Sequence, residues 1–268
     1  MSNRLAVTVR TGWATLQREW LSFRINRFLH VHALLMLAIG VLALIAPPEA
    51  GAYGGSWWLF NGTTYVASIS ALLLGLSSAQ AEVDEFPLLF TQPIALSGWV
   101  AGKFGALLTV TFSAALLLVF PIAFAFGFSA VVFGSALGAA MVTCLWAWLG
   151  AALGLSIEDP VRGLIAALLA WFVLIFGFDL GLILLGGSSW VRANPGAWVS
   201  AMMASPMDAY RVGLLFALEG VAFSGADLHP LTRWWLRNPL LWMTLCLGGW
   251  SVLALIVALR AARQRRAR

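Results

Sequence analysis

The sequence predicts an all-α integral membrane protein with six transmembrane helices, and three observations carry that prediction. The chain is 61% hydrophobic and only 10% charged, whereas a soluble domain carries about 25% charged residues. It contains uncharged runs long enough to cross a bilayer, which takes about 20 mostly apolar residues. Its basic residues gather at the two ends. The first observation excludes a water-soluble globular enzyme, and lipid leaves helices as the spanning form because it offers no partner for unpaired backbone groups.

Residues 1–27 are predicted as an amphipathic elbow helix. Leu5, Val9, Trp13, Leu16, Trp20 and Phe23 recur at spacings of three and four, with Arg4, Arg10, Gln17, Arg18 and Arg24 around the remaining circumference. That pattern suits a helix lying along a membrane interface. Phe28–Ile45 is the first span and Trp57–Ala81 the second. The uncharged run Phe104–Ile157 is too long for one crossing and is predicted to be a hairpin turning near Gly127–Gly134, with Pro121 a place for a kink. Gly163 to about Trp190, interrupted by Asp179, is the fifth span, and Pro239–Leu259 is the sixth. Between them, residues 187–238 carry Trp190, Trp198, Tyr210, Trp234 and Trp235, punctuated by Pro195, Pro206 and Pro230. Aromatics in that setting predict short helices half-buried at the outer interface.

Ten of the sixteen Lys and Arg residues lie before the first span or after the last, from Arg4 to Arg27 and from Arg260 to Arg268. Six spans put both ends on one side, and the positive-inside rule makes that side the cytoplasm. Arg192, Arg211, Arg233 and Arg237 in the long outer segment run against the rule, but long loops translocate largely regardless of charge. Cys144 and Cys246 both lie in apolar runs and read as small hydrophobes.

Few titratable groups are available to cluster. His30 and His32, two apart on a helix, point about 200° away from each other and cannot chelate one metal from one face. No Walker-type glycine loop, His-rich metal signature or nucleophile elbow is present, so no catalytic residue or bound cofactor is assigned to this chain. Glu82, Asp84 and Glu85 follow the second span, ahead of a stretch containing Pro87 and Pro93 and ending at Lys103. Three carboxylates beside a membrane repel acidic lipid and suit a protein partner. Glu158, Asp159 and Pro160 form a shorter connection that suits either a helix cap or a docking point. Asp179 is the one acid well inside a span; its helical neighbours Ile175, Phe176, Leu182 and Ile183 are apolar, which makes it a candidate functional residue beside a structural, hydrogen-bonded alternative. Met202, Met203 and Met207 are candidate soft-metal ligands, with ordinary packing as the alternative. Small-residue spacings at Gly134/Gly138, Gly150/Gly154 and Gly177/Gly181 would allow close helix approach.

The whole chain resembles the ABC-2 class of ABC transporter permeases in its basic elbow, six spans, inner connection after the second span and long outer segment before the last. In that class the inner connection begins with an acid and ends a Pro-containing stretch with Gly-Lys, matched here by Glu82, Pro93, Gly102 and Lys103. The resemblance implies that residues 82–98 are a coupling connection docking, through Glu82, Asp84, Glu85, Pro87, Pro93 and Lys103, on a separate cytoplasmic ATPase dimer that holds ATP and Mg²⁺. This sequence departs from the pattern at Val83-Asp84-Glu85-Phe86 and at Leu96-Ser97-Gly98-Trp99. Phe178-Asp179-Leu180 and Ser205-Pro206-Met207-Asp208-Ala209-Tyr210-Arg211 resemble segments of the permease family of nitrous-oxide reductase maturation, with Ser205 in place of an Asn. That likeness implies a homodimer in the bacterial inner membrane, gripping a periplasmic β-helical protein through Asp208, Tyr210 and Arg211, in maturation of a copper site; for those three residues a local ion pair and helix cap at the bilayer surface is the alternative. A general ABC-2 exporter of lipid, drug or peptide is the alternative, and a third reading of a different class is a membrane-anchor subunit of a respiratory complex, for which only His30 and His32 are available as axial ligands. Membrane lipid is an implied partner and nucleic acid is not.

Overall fold

The computed structural model describes residues 2–45, 59–82, 86, 91, 94–126, 130–219 and 230–267. Every regular element among them is helical. In chain order these are α1 (Ser2–Phe23), α2 (Arg27–Ile45), α3 (Leu59–Gln80), α4 (Leu96–Phe126), α5 (Ala130–Ser156) and α6 (Pro160–Gly186). The short helices α7 (Ser189–Ala193), α8 (Pro195–Ala204), α9 (Pro206–Glu219) and α10 (Pro230–Arg237) follow, and α11 (Pro239–Ala267) ends the fold. Six of them, α2 to α6 and α11, are long and apolar enough to cross a membrane. The third span ends at Phe126 and the fourth begins at Ala130, and α4 runs through Pro121 without ending there.

The centre of the bundle is the α3–α5 pair. Lipid tails are as apolar as leucine, so spans associate through close packing rather than hydrophobic gain. The sequence supplies that closeness with small residues: Ala71, Ala79, Ala147 and Ala151 are all fully buried. A Cβ on Gly75 would strike the Ala147 carbonyl, one on Gly150 the Leu72 carbonyl, and one on Gly154 the Ala79 side chain. The Gly150/Gly154 spacing is thus a true contact stripe, and Gly138 backs onto the Tyr210 ring. Gly134 and Gly181 meet nothing within 4 Å among the described residues and Gly177 meets only Val173 of its own helix, so Gly177/Gly181 carries no contact between helices and Gly134/Gly138 only the one at Gly138.

Around this pair stand α2, α4 and α11, and α6 is the most peripheral span. Asp159 caps α6 by accepting from the Arg162 N–H at 2.8 Å, with Pro160 in the first turn; the connection at Glu158–Pro160 therefore serves as a cap. Two π-helical stretches, Gly62–Ala67 in α3 and Val173–Gly177 in α6, face each other through stacked Tyr65 and Phe176 rings 5.7 Å apart. The Trp171 indole N–H donates to Ser68 Oγ at 2.8 Å across the same seam.

The elbow helix packs against α4 through one face. It lies lengthwise and parallel along the first turns of α4: the Gly98 backbone touches Gly12, Gly102 sits under Thr15, and the Trp20 indole donates to Thr109 Oγ1 at 3.0 Å. Its packed face is Thr8, Gly12, Thr15, Glu19 and Phe23, whereas the apolar Leu5, Val9 and Trp13 point away and are exposed. Of the apolar stripe, Phe23 is buried and Leu16 packs against the core, whereas Leu5, Val9 and Trp13 stay outside, as suits residues that an interfacial helix turns toward lipid.

Candidate functional site: two ionic clusters at opposite ends of the bundle

The two arginine-rich termini meet at one end of the bundle. Gly98 at the start of α4 packs on Thr8 of α1, while Arg263 and Arg266 of α11 flank Leu96 and Ser97. The connection after α3 lies at the same end. Here α1, α3 and α4 bring together a sealed ionic cluster. Lys103 is fully buried, and its Nζ donates to Glu19 Oε1 at 3.1 Å, to Glu82 Oε2 at 2.9 Å and to the Ser78 carbonyl at 2.9 Å. Glu19 also accepts from the Ser78 hydroxyl at 3.1 Å, and Arg18 reaches both Glu19 and Glu82 from the rim. Two carboxylates and two cations neutralise one another. The arrangement answers the desolvation cost of each buried charge with several directed bonds.

Glu82 and Lys103 are therefore brought together but are not presented to a partner. Their expected partner-facing role is corrected: with 5% and 0% exposure they hold the elbow to the start of the connection. The connection is pinned again at Phe86, which is buried edge-on against Trp99 at 5.6 Å, with the Arg265 guanidinium over its ring at 5.0 Å. Arg265 also donates to the Gly154 carbonyl at the end of α5. Asp84, Glu85, Pro87 and Pro93 lie outside the described residues. Glu19 is the residue that sequence reasoning missed. Its signal was available, since it is the lone acid of a basic helix and continues the small-residue stripe Thr8, Gly12, Thr15.

The second cluster sits at the opposite end, between α6 and α9. Arg211 Nη1 lies 2.5 Å from Asp179 Oδ2 and 3.5 Å from Asp208 Oδ1, and its guanidinium stands over the Phe60 ring at 5.9 Å. Phe60 in turn stacks on Tyr210 at 6.3 Å. Asp179 thus finds its partner 32 residues away rather than on its own helix. The π-helical stretch immediately before Phe178 resets the helical register, as such single-turn bulges commonly do at functional positions.

Local sequence builds the rest. Ser205 ends α8 and starts α9, and its Oγ accepts from the Asp208 N–H at 3.2 Å, the N-cap arrangement that a Ser-x-x-acid pattern favours. Burial raises the Asp208 carboxyl above the usual aspartate range and Asp179 adds to the rise, while Ser205 and Arg211 pull it down. Burial likewise raises the Tyr210 hydroxyl, which sits beside Thr63. Asp208, Tyr210 and Arg211, expected as outward anchors for a partner, instead turn inward: Tyr210 is 1% exposed and Asp208 7%. A partner at this end would meet the surface these residues support.

Met207 packs in the apolar core with Leu214, Met243 and Leu247, Met203 is buried and Met202 is half-buried. Among the described residues no three His, Cys, Asp or Glu side chains converge as metal ligands. His32 is buried, with Nδ1 2.8 Å from Ser70 Oγ, whereas the His30 Nδ1 lies 2.8 Å from the Asn26 carbonyl just before α2. The chain matches no protein-family model and no curated protein.

Proposed function

We propose that this chain is the permease subunit of an ABC-2-type transporter of the bacterial inner membrane, with both termini in the cytoplasm. Acting as a homodimer, it would couple ATP hydrolysis on a separate ATPase dimer to a periplasmic β-helical protein during maturation of the nitrous-oxide reductase copper site. The observation that carries the reading is the buried Glu19–Lys103–Glu82 cluster. It ties the elbow, the second span and the third span at the root of the connection that would receive the ATPase. A push on residues 83–93 is then delivered to three helices at once, as a rigid-body step requires.

The second cluster supports the same reading from the far end. Arg211 joins span α6 to α9, so a shift of that span moves the outer helices as a unit. The work assigned to the chain is transmission; ATP and Mg²⁺ belong to the partner. Asp84 and Glu85 are the acids of the connection assigned to docking. Reversing both to lysine is expected to abolish copurification of the ATPase while membrane insertion stays intact. Undiminished copurification would remove the docking assignment.

A further inference from the structure

On the flank of the bundle, α8, α10 and α11 enclose an open groove of about 830 Å³. Met203, Trp234, Trp242, Cys246, Gly249 and Trp250 line it. It follows α11 from Trp242 toward Leu253, about 16 Å at 1.5 Å per residue, which leads from the end opposite the termini into the apolar depth of the span. Both indole N–H groups on α11 are turned inward and satisfied: Trp242 donates to the Met203 carbonyl at 2.9 Å and Trp250 to the Ala204 carbonyl at 3.0 Å. The two tryptophans of α11 therefore bring apolar ring surface to the groove without an unmet N–H. Its floor is kept clear by glycine, since a Cβ on Gly249 would meet no atom within 4 Å.

We propose that this groove is a binding site for one acidic phospholipid, with an acyl chain along Trp242–Leu253 and the phosphate at Arg237 of α10. An acyl chain gains no hydrophobic energy on leaving surrounding lipid. Selection must come from the fit of a chain into a void that none of the described residues fills and from the head group. Charge supplies the latter. Arg237 is exposed and lies about 60° around the helix from Trp234, which lines the groove and meets Trp242 edge-on at 5.9 Å. Arg233 adds a second positive charge to the same short helix. Arginines on α10, which run against the positive-inside pattern, thereby acquire a use at an outer headgroup layer.

Native mass spectrometry of the detergent-purified, delipidated full chain tests this with phosphatidylglycerol and phosphatidylcholine as probes. Wild type should retain about one phosphatidylglycerol per chain and discriminate against phosphatidylcholine. Gly249→Phe, which fills the groove from an open position, should lose the retained lipid. Arg237→Gln, an exposed change, should weaken phosphatidylglycerol about fivefold, the share of one arginine at a lipid surface, with little effect on phosphatidylcholine. Equal retention of both lipids, or unchanged retention in both variants, would overturn the site. So would loss of a dimer by Gly249→Phe with lipid retention unaltered, which would give the groove to a second copy.

Discussion

Replacing Lys103 with methionine probes the inner cluster directly. The substitution keeps the bulk of the stem and removes a charge that makes three bonds of 2.9–3.1 Å with no exposure to solvent. It leaves Glu19 and Glu82, at 4% and 5% exposure, with Arg18 as the remaining cation of the cluster. Removing one partner of a buried pair costs about 3–5 kcal/mol, because the other charge stays buried without compensation. Arg18 sits on the rim with a side chain 40% exposed, where water screens the charge, so Arg18→Gln should cost less than Lys103→Met although its partners Glu19 and Glu82 are buried. The triple change Lys103→Met, Glu19→Gln, Glu82→Gln removes the uncompensated charges and should recover most of the loss. Reversible unfolding in mixed micelles, followed by tryptophan fluorescence, reads all three. If Lys103→Met and Arg18→Gln cost the same, or Lys103→Met costs less than about 1 kcal/mol, the cluster is not what holds the elbow to the spans.

Three further outcomes follow from the packing and the outer cluster. Gly75→Ala or Gly150→Ala forces a methyl into a facing backbone carbonyl and should cost about 1–3 kcal/mol, whereas Gly181→Ala, with nothing within 4 Å, should be neutral or stabilising by up to about 1 kcal/mol in the same assay. Asp179→Asn removes the closer partner of Arg211 and should cost about 1–3 kcal/mol. The variant should still assemble while impairing function; full activity would return Asp179 to a packing role. Because the Asp208 carboxyl is raised above its ordinary value of 3.8, its contribution to stability is complete below that pH and is lost as pH rises through the raised value. Asp208→Asn should flatten this part of the stability–pH curve, and an unchanged curve would contradict the assignment.

The spans were legible because lipid imposes one simple demand, an apolar run of sufficient length, and all six follow it. The cap at Asp159 was legible for a comparable reason, being a local pattern of an acid before a proline. Long-range pairing was not. Asp179 has only apolar neighbours at helical spacing, and Arg211 comes to it from a different helix. Glu82 reads as a surface acid until α1 and α4 close over it with Glu19, Arg18 and Lys103. The elbow was legible as an amphipathic helix, but its apolar stripe does not reveal the close approach of Gly98 and Gly102 to the face carrying Gly12 and Thr15. At Asp208, Tyr210 and Arg211 the local ion pair and cap were legible, and Arg211 and Ser205 supply them, but nothing local reveals the Phe60 ring and the Gly138 cleft against which Arg211 and Tyr210 turn inward.

The role in an ABC-2 complex is tested most directly by purifying the tagged full chain from its native membranes in mild detergent and identifying its companions by mass spectrometry. The account predicts a cytoplasmic ABC ATPase together with a periplasmic β-helical protein. An ATPase without the periplasmic protein would contradict the maturation role, and haem- or quinone-linked subunits in place of an ATPase would contradict the ABC assignment as a whole.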